Sequence, residues 1–133
     1  MNHARRIAAS CMTAALAAAS LLVAAPAQAS PGTCYITSYD NPLIPGSGHY
    51  LVPEYNLSYG MNDFCVTSWQ RQINRRYGQV LTVDGVYGPR TRDWTTRIQG
   101  SQQYSWCAGG ADGIAGPKTI SCFEHVNGYT EWG

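Results

Sequence analysis

Lysine is nearly absent from this chain, and charge of either sign is scarce. Lys118 is the single lysine, 13% of the 133 residues are charged, and the formal net charge is +1. There is no Cys-x-x-Cys pair and no His-Glu-x-x-His pattern. Each lack excludes something. A near-neutral chain has no basic footprint for nucleic acid or for an anionic membrane surface. Without paired cysteine or histidine spacings the common zinc sites have no ligands, so no metal and no other cofactor is expected. Long apolar sequence is confined to Ile7 through Ala25.

That apolar run follows Arg5-Arg6 and ends before Ala27-Gln28-Ala29, with Pro26 between. A basic start, an apolar middle and small residues at the cleavage positions read as a signal peptide over 1–29. Alanine dominates the run and its strongest block is Leu21-Leu22-Val23, which is weak for a membrane anchor. The expectation is a secreted protein with no membrane contact after cleavage. Removing 29 of 133 residues leaves 104. That suits one compact domain and leaves no room for a catalytic domain beside a binding domain.

Cys11 leaves with the leader, and Cys34, Cys65, Cys107 and Cys122 remain. Four cysteines in a short secreted chain imply two disulfides, for which three connectivities exist. Pairing Cys34 with Cys65 and Cys107 with Cys122 keeps each loop within its own half, and each closure stabilises by about 3 kcal/mol on the chain-entropy argument. An even count leaves no thiol for catalysis.

Residues 30–63 carry Pro31, Pro42, Pro45 and Pro53 with Gly32, Gly46, Gly48 and Gly60, and no helical period survives there. Tyr35-Ile36-Thr37 and His49-Tyr50-Leu51-Val52 are short extended pieces that can pair across Pro45-Gly46-Ser47-Gly48. This segment reads as an ordered arm tied on by a disulfide. From residue 64 the period changes. Val66, Trp69, Ile73 and Tyr77 share a helical face behind an Asn62-Asp63 cap, which predicts a helix over 64–77 ended by Gly78. Leu81, Val83 and Val86 are expected to be buried in the following loop. Pro89 and Pro117 open helices over 89–99 and 117–125, proline being suited to the first helical position. Trp94 and Ile98 should face inward on the second, and Ile120, Phe123 and Val126 on the third. A short tail, 127–133, is expected to pack through Tyr129 or Trp132.

Val83-Asp84-Gly85-Val86-Tyr87-Gly88-Pro89-Arg90-Thr91 returns 28 residues later as Ala111-Asp112-Gly113-Ile114-Ala115-Gly116-Pro117-Lys118-Thr119. Gln70 and Gln99 precede the two copies on the first and second helices. Asp-Gly makes a tight turn, because the carboxylate accepts from nearby backbone N–H groups and glycine supplies positive φ. Val86 and Ile114 should then anchor each turn in the core. Asp84, Gly85, Gly88, Pro89 and Thr91, with Asp112, Gly113, Gly116, Pro117 and Thr119, read as a structural motif written twice.

These blocks resemble the peptidoglycan-binding domain family, a small three-helix module found on bacterial cell-wall hydrolases. The family alternates apolar-Gln on a helix with Asp-Gly-x-x-Gly-Pro-x-Thr, twice, and this chain has all four blocks in order over residues 64–126. Trp69 stands where the family usually has leucine, and Trp94 where it usually has a small residue. The resemblance implies a mainly α fold, a compact three-helix domain with two Asp-Gly turns behind an irregular or extended arm. It also implies a secreted, wall-located monomer whose partner is peptidoglycan, either its glycan or its stem peptide. Such a ligand calls for aromatic faces, amides and an arginine. Tyr87, Arg90, Gln70, Gln99 and Trp94 are the candidates. No catalytic residues are expected, since Asp84 and Asp112 sit in turns that already use their oxygens. A secreted disulfide-stapled protein-binding factor is the alternative, and a small wall hydrolase a more distant one.

Overall fold

The computed structural model describes residues 34–46 and 48–129. The leader read over 1–29, and the tail beyond Tyr129 with Trp132, lie outside them. Two strands, β1 (Ile36–Tyr39) and β2 (Tyr50–Pro53), precede three helices: α1 (Phe64–Tyr77), α2 (Pro89–Gly100) and α3 (Pro117–Asn127). The three expected helices are present beside a small two-stranded sheet, and the mainly helical expectation is met only weakly. Helices of 14, 12 and 11 residues are joined by long irregular segments and accompanied by a small sheet.

Each helix starts where its local chemistry dictates. Asp63 caps α1 by accepting from Val66 N at 3.0 Å. Arg75 and Arg76 lie in its last turn, where the dipole favours cations. Pro89 and Pro117 open α2 and α3 behind Gly88 and Gly116, whose backbones agree within a few degrees (φ −89, ψ −175 and φ −92, ψ −179). The strands pair antiparallel with Ile36 opposite Pro53 and Tyr39 opposite Tyr50, one residue along from the pieces read in the sequence. Cys34–Cys65 and Cys107–Cys122 are the disulfides, with Cα separations of 4.9 and 5.3 Å.

The core gathers around Phe123. Trp69 meets it edge-on at 5.2 Å, Tyr104 stacks on it at 5.3 Å, and Tyr129 closes over it at 5.9 Å. Ile73, Ile98 and Ile120 fill the space between the helices. The indole N–H of Trp69 donates to the Thr95 hydroxyl at 3.0 Å, so the large ring is buried without an orphaned donor.

Burial corrects three expectations. Ile114 is 38% exposed, and Val86 is only half-buried. The next residue in each copy, Tyr87 or Ala115, is the fully buried one. Val83 is also exposed. The cause is the arm. Residues 57–63 run as a strap across both turns and pair with the backbones of Tyr87 and Ala115. Leu57 and Ala115 exchange both N–H···O bonds, at 3.0 and 2.9 Å. Tyr87 N donates to Met61 O at 2.8 Å, and Tyr87 O accepts from Gly60 N at 2.9 Å. Side chains alternate along an extended segment, so burial of residues 87 and 115 turns 86 and 114 outward. Farther back, buried Asn41 donates from Nδ2 to Cys107 O, Lys118 O and Ser121 Oγ, at 3.1, 3.1 and 3.0 Å.

Asn41→Ala removes the donor for these buried acceptors. It should lower stability by about 1–3 kcal/mol in denaturant unfolding. Amide exchange should accelerate most over residues 36–53, where the arm loses its tie to α3.

Candidate functional site

Two glutamine amides shape the surface above the helix N-termini. From α1, Gln70 Nε2 reaches Asp84 Oδ1 at 3.0 Å, Val86 O at 3.0 Å and Thr91 Oγ1 at 3.1 Å. Its Oε1 accepts from Asp84 N and Gly85 N at 3.1 and 2.9 Å. From α2, Gln99 Nε2 reaches Asp112 Oδ1 at 3.0 Å, Ile114 O at 2.8 Å and Thr119 Oγ1 at 2.9 Å, and its Oε1 accepts from Gly113 N at 2.8 Å. Each aspartate also accepts from the N–H two residues on, Val86 or Ile114, at 2.9 Å. Gly85 and Gly113 sit at φ 73 and 76. A side chain at residue 113 would in addition collide with Arg92 and Thr96.

Of the sequence candidates, Gln70, Gln99 and Tyr87 are buried with their polar atoms engaged inside the fold. Tyr87 donates its hydroxyl to Gly113 O at 2.7 Å and lies 2.8 Å from the Thr95 hydroxyl, linking the two turns through the core. Burial pushes its phenol up to about 12. These three offer no exposed atoms to a ligand in this arrangement. Arg90 is exposed at the mouth of the first turn and donates from Nε to Val80 O at 2.7 Å. Trp94 is half-buried on another face, 5.1 Å from the Tyr77 ring, with Arg97 Cζ 4.8 Å above it.

A cleft of about 280 Å³ opens at the second turn. Asp112, Ile114, Pro117 and Lys118 form one side, and Tyr39 and Asn56 of the arm form the other. Lys118 lays its aliphatic stem over Gly109. The Tyr39 phenol is a hydroxyl donor at neutral pH, and burial raises it above its ordinary value. The cleft thus offers a cation, a carboxylate, an amide, a hydroxyl and an apolar wall within one concavity. Sequence reasoning did not single out Lys118, Tyr39 or Asn56 as ligand contacts. Lys118 had a signal, being the counterpart of Arg90 in the repeat. Tyr39 and Asn56 had none, because their placement depends on how the arm folds back.

Among the described residues, no three His, Cys, Asp or Glu side chains are grouped to hold a metal ion. No helix of the described residues is long and apolar enough to cross a membrane. Comparisons of the chain with models of known protein families, with curated proteins and with solved structures found no match.

Asp84→Ala removes the acceptor for Gln70 Nε2 and Val86 N and should cost about 1–3 kcal/mol in denaturant unfolding. Asp112→Ala should cost less, because Asp112 is exposed and water replaces part of what is lost. Tyr87 makes a separate prediction about alkali. An unfolded tyrosine ionises near 10.0, so the contribution of Tyr87 to stability should be flat below that pH. It should then fall by about 2–3 kcal/mol as pH rises toward the buried value. Tyr87→Phe should remove this share of the alkaline loss in urea titrations repeated at each pH, leaving the share of Tyr77, whose phenol burial also raises.

Proposed function

We propose that the protein is a secreted, non-catalytic module that binds bacterial cell-wall peptidoglycan through the cleft at the second turn. The observation that carries this reading is the composition of that cleft. Lys118 can hold a free carboxylate, while Asn56 and the Tyr39 hydroxyl can serve amide groups. Ile114, 38% exposed, with Pro117 can cover a short aliphatic side chain. A stem peptide presents this mixture of carboxylate, amide and small apolar groups. The repeated Gln and Asp-Gly-x-x-Gly-Pro-x-Thr blocks, with their resemblance to the peptidoglycan-binding family, point to the same ligand.

Binding without hydrolysis is supported by how the reactive groups are used. Oδ1 of both Asp84 and Asp112 is spent on turn hydrogen bonds. Cys34, Cys65, Cys107 and Cys122 are all in disulfides. Those disulfides and the signal-like leader support an extracellular setting. A protein-binding role has one observation in its favour: Ile36 and Leu51 are 40% and 43% exposed on the outer side of the hairpin.

The oxidised protein should sediment with insoluble peptidoglycan and be displaced by soluble muropeptides. Retention should largely survive about 1 M salt, where screening acts beyond ~3 Å, because short-range contacts rather than net charge hold the ligand. Lys118→Ala should weaken retention about tenfold, in line with the loss of one charged hydrogen bond, with helical circular dichroism unchanged. Wild-type protein left in the supernatant sinks the binding reading. Release of soluble muropeptides from the wall by that protein sinks the non-catalytic one.

A further inference from the structure

A smaller cleft, about 210 Å³, lies at the first turn and is built from the same positions. Asp84, Val86, Gly88, Pro89, Arg90 and Thr91 line it. Their counterparts 28 residues on, Asp112, Ile114, Gly116, Pro117, Lys118 and Thr119, line the larger one. We propose that this cleft is a second binding site for the same carboxylate-bearing, amide-rich peptide, so that one molecule of the protein holds two stem peptides at once. The inference rests on the peptidoglycan reading and adds a second site and a stoichiometry to it.

The cation, the carboxylate and the apolar wall are matched between the two clefts. Arg90 takes the place of Lys118 as the cation. One of its five N–H donors is committed to Val80 O, which fixes the guanidinium at the mouth of the cleft. The remaining donors form a fork suited to a carboxylate. Asp84 repeats Asp112, with Oδ1 in the turn and no turn hydrogen bond using Oδ2. Val86 and Pro89 repeat the apolar wall of Ile114 and Pro117. The size difference also has a cause. The arm supplies Tyr39 and Asn56 only to the larger cleft. The first site should therefore take the less bulky part of the peptide and bind it more weakly.

The two clefts are held close together. The strap meets Ala115 through Leu57 and Tyr87 through Gly60 and Met61. Four residues of extended chain span at most about 14 Å. Two peptides on neighbouring units of one polymer are thus in reach, and the second attachment becomes intramolecular.

A purified soluble muropeptide is the probe. Calorimetry on the oxidised wild-type protein should give two muropeptides per chain, and amide NMR shifts should move in two groups, around residues 81–91 and 109–119. Arg90→Ala and Lys118→Ala should each reduce the stoichiometry to one and silence only the nearer group. Arg90→Lys should restore two. On insoluble wall the wild type should be retained at least about tenfold more tightly than either alanine variant. One muropeptide per chain, lost in Lys118→Ala and untouched in Arg90→Ala, overturns the second site and leaves the peptidoglycan reading intact. Absence of any muropeptide binding by the wild type overturns that reading, and this inference with it.

Discussion

The side-chain amide of Gln70 crosses from α1 to the first turn, and that of Gln99 crosses from α2 to the second, each satisfying buried donors and acceptors. Both glutamines are almost wholly buried. A buried amide left half-paired costs about 1–3 kcal/mol per group, so the side chain and the turn must form together or not at all. This requirement sets the position of the aspartate, the positive φ of the following glycine and the threonine in the first turn of the next helix. It also determines which surface remains, since atoms spent on the amide are unavailable to a ligand and the clefts are lined by the others.

Tyr87 extends the same constraint between the two turns. Its hydroxyl meets Gly113 of the second turn and Thr95 of α2, while Thr95 also receives the Trp69 indole and donates to Thr91 O. A small polar cluster at the centre of an aromatic core thus joins α1, α2 and both turns. Hydrogen-bonded groups of this kind specify one arrangement of the rings, where apolar packing alone tolerates several.

Periodicity made the helices legible. Val66, Trp69, Ile73 and Tyr77 marked α1 from its cap to its last residue, and Pro89 and Pro117 marked the other two starts. The disulfides followed from economy of loop length. The accessible surface was harder to read. Tyr87 looks like a ligand platform when its copy is read alone. Its counterpart is Ala115, and a small residue at the equivalent position is what an inward-facing site tolerates. Comparing the copies position by position would have moved Tyr87 inward and drawn Lys118 out beside Arg90. Nothing local could have placed Tyr39, Asn41 or Asn56, because they act on residues more than fifty positions away through the fold-back of the arm.

The strap also limits how often the unit can be copied. Its backbone pairs with the second turn at Leu57 and with the first at Gly60, Met61 and Asp63, and each position is taken. On the side before Leu57 the chain turns away into β2, and on the side after Met61 it enters the cap of α1. A third copy of the turn would find no extended backbone to pair with, and its counterpart of Tyr87 or Ala115 would carry an unpaired N–H and C=O into the interior. Copy number is therefore set at two by a segment that lies outside the repeat, and lengthening the array would require lengthening the arm first.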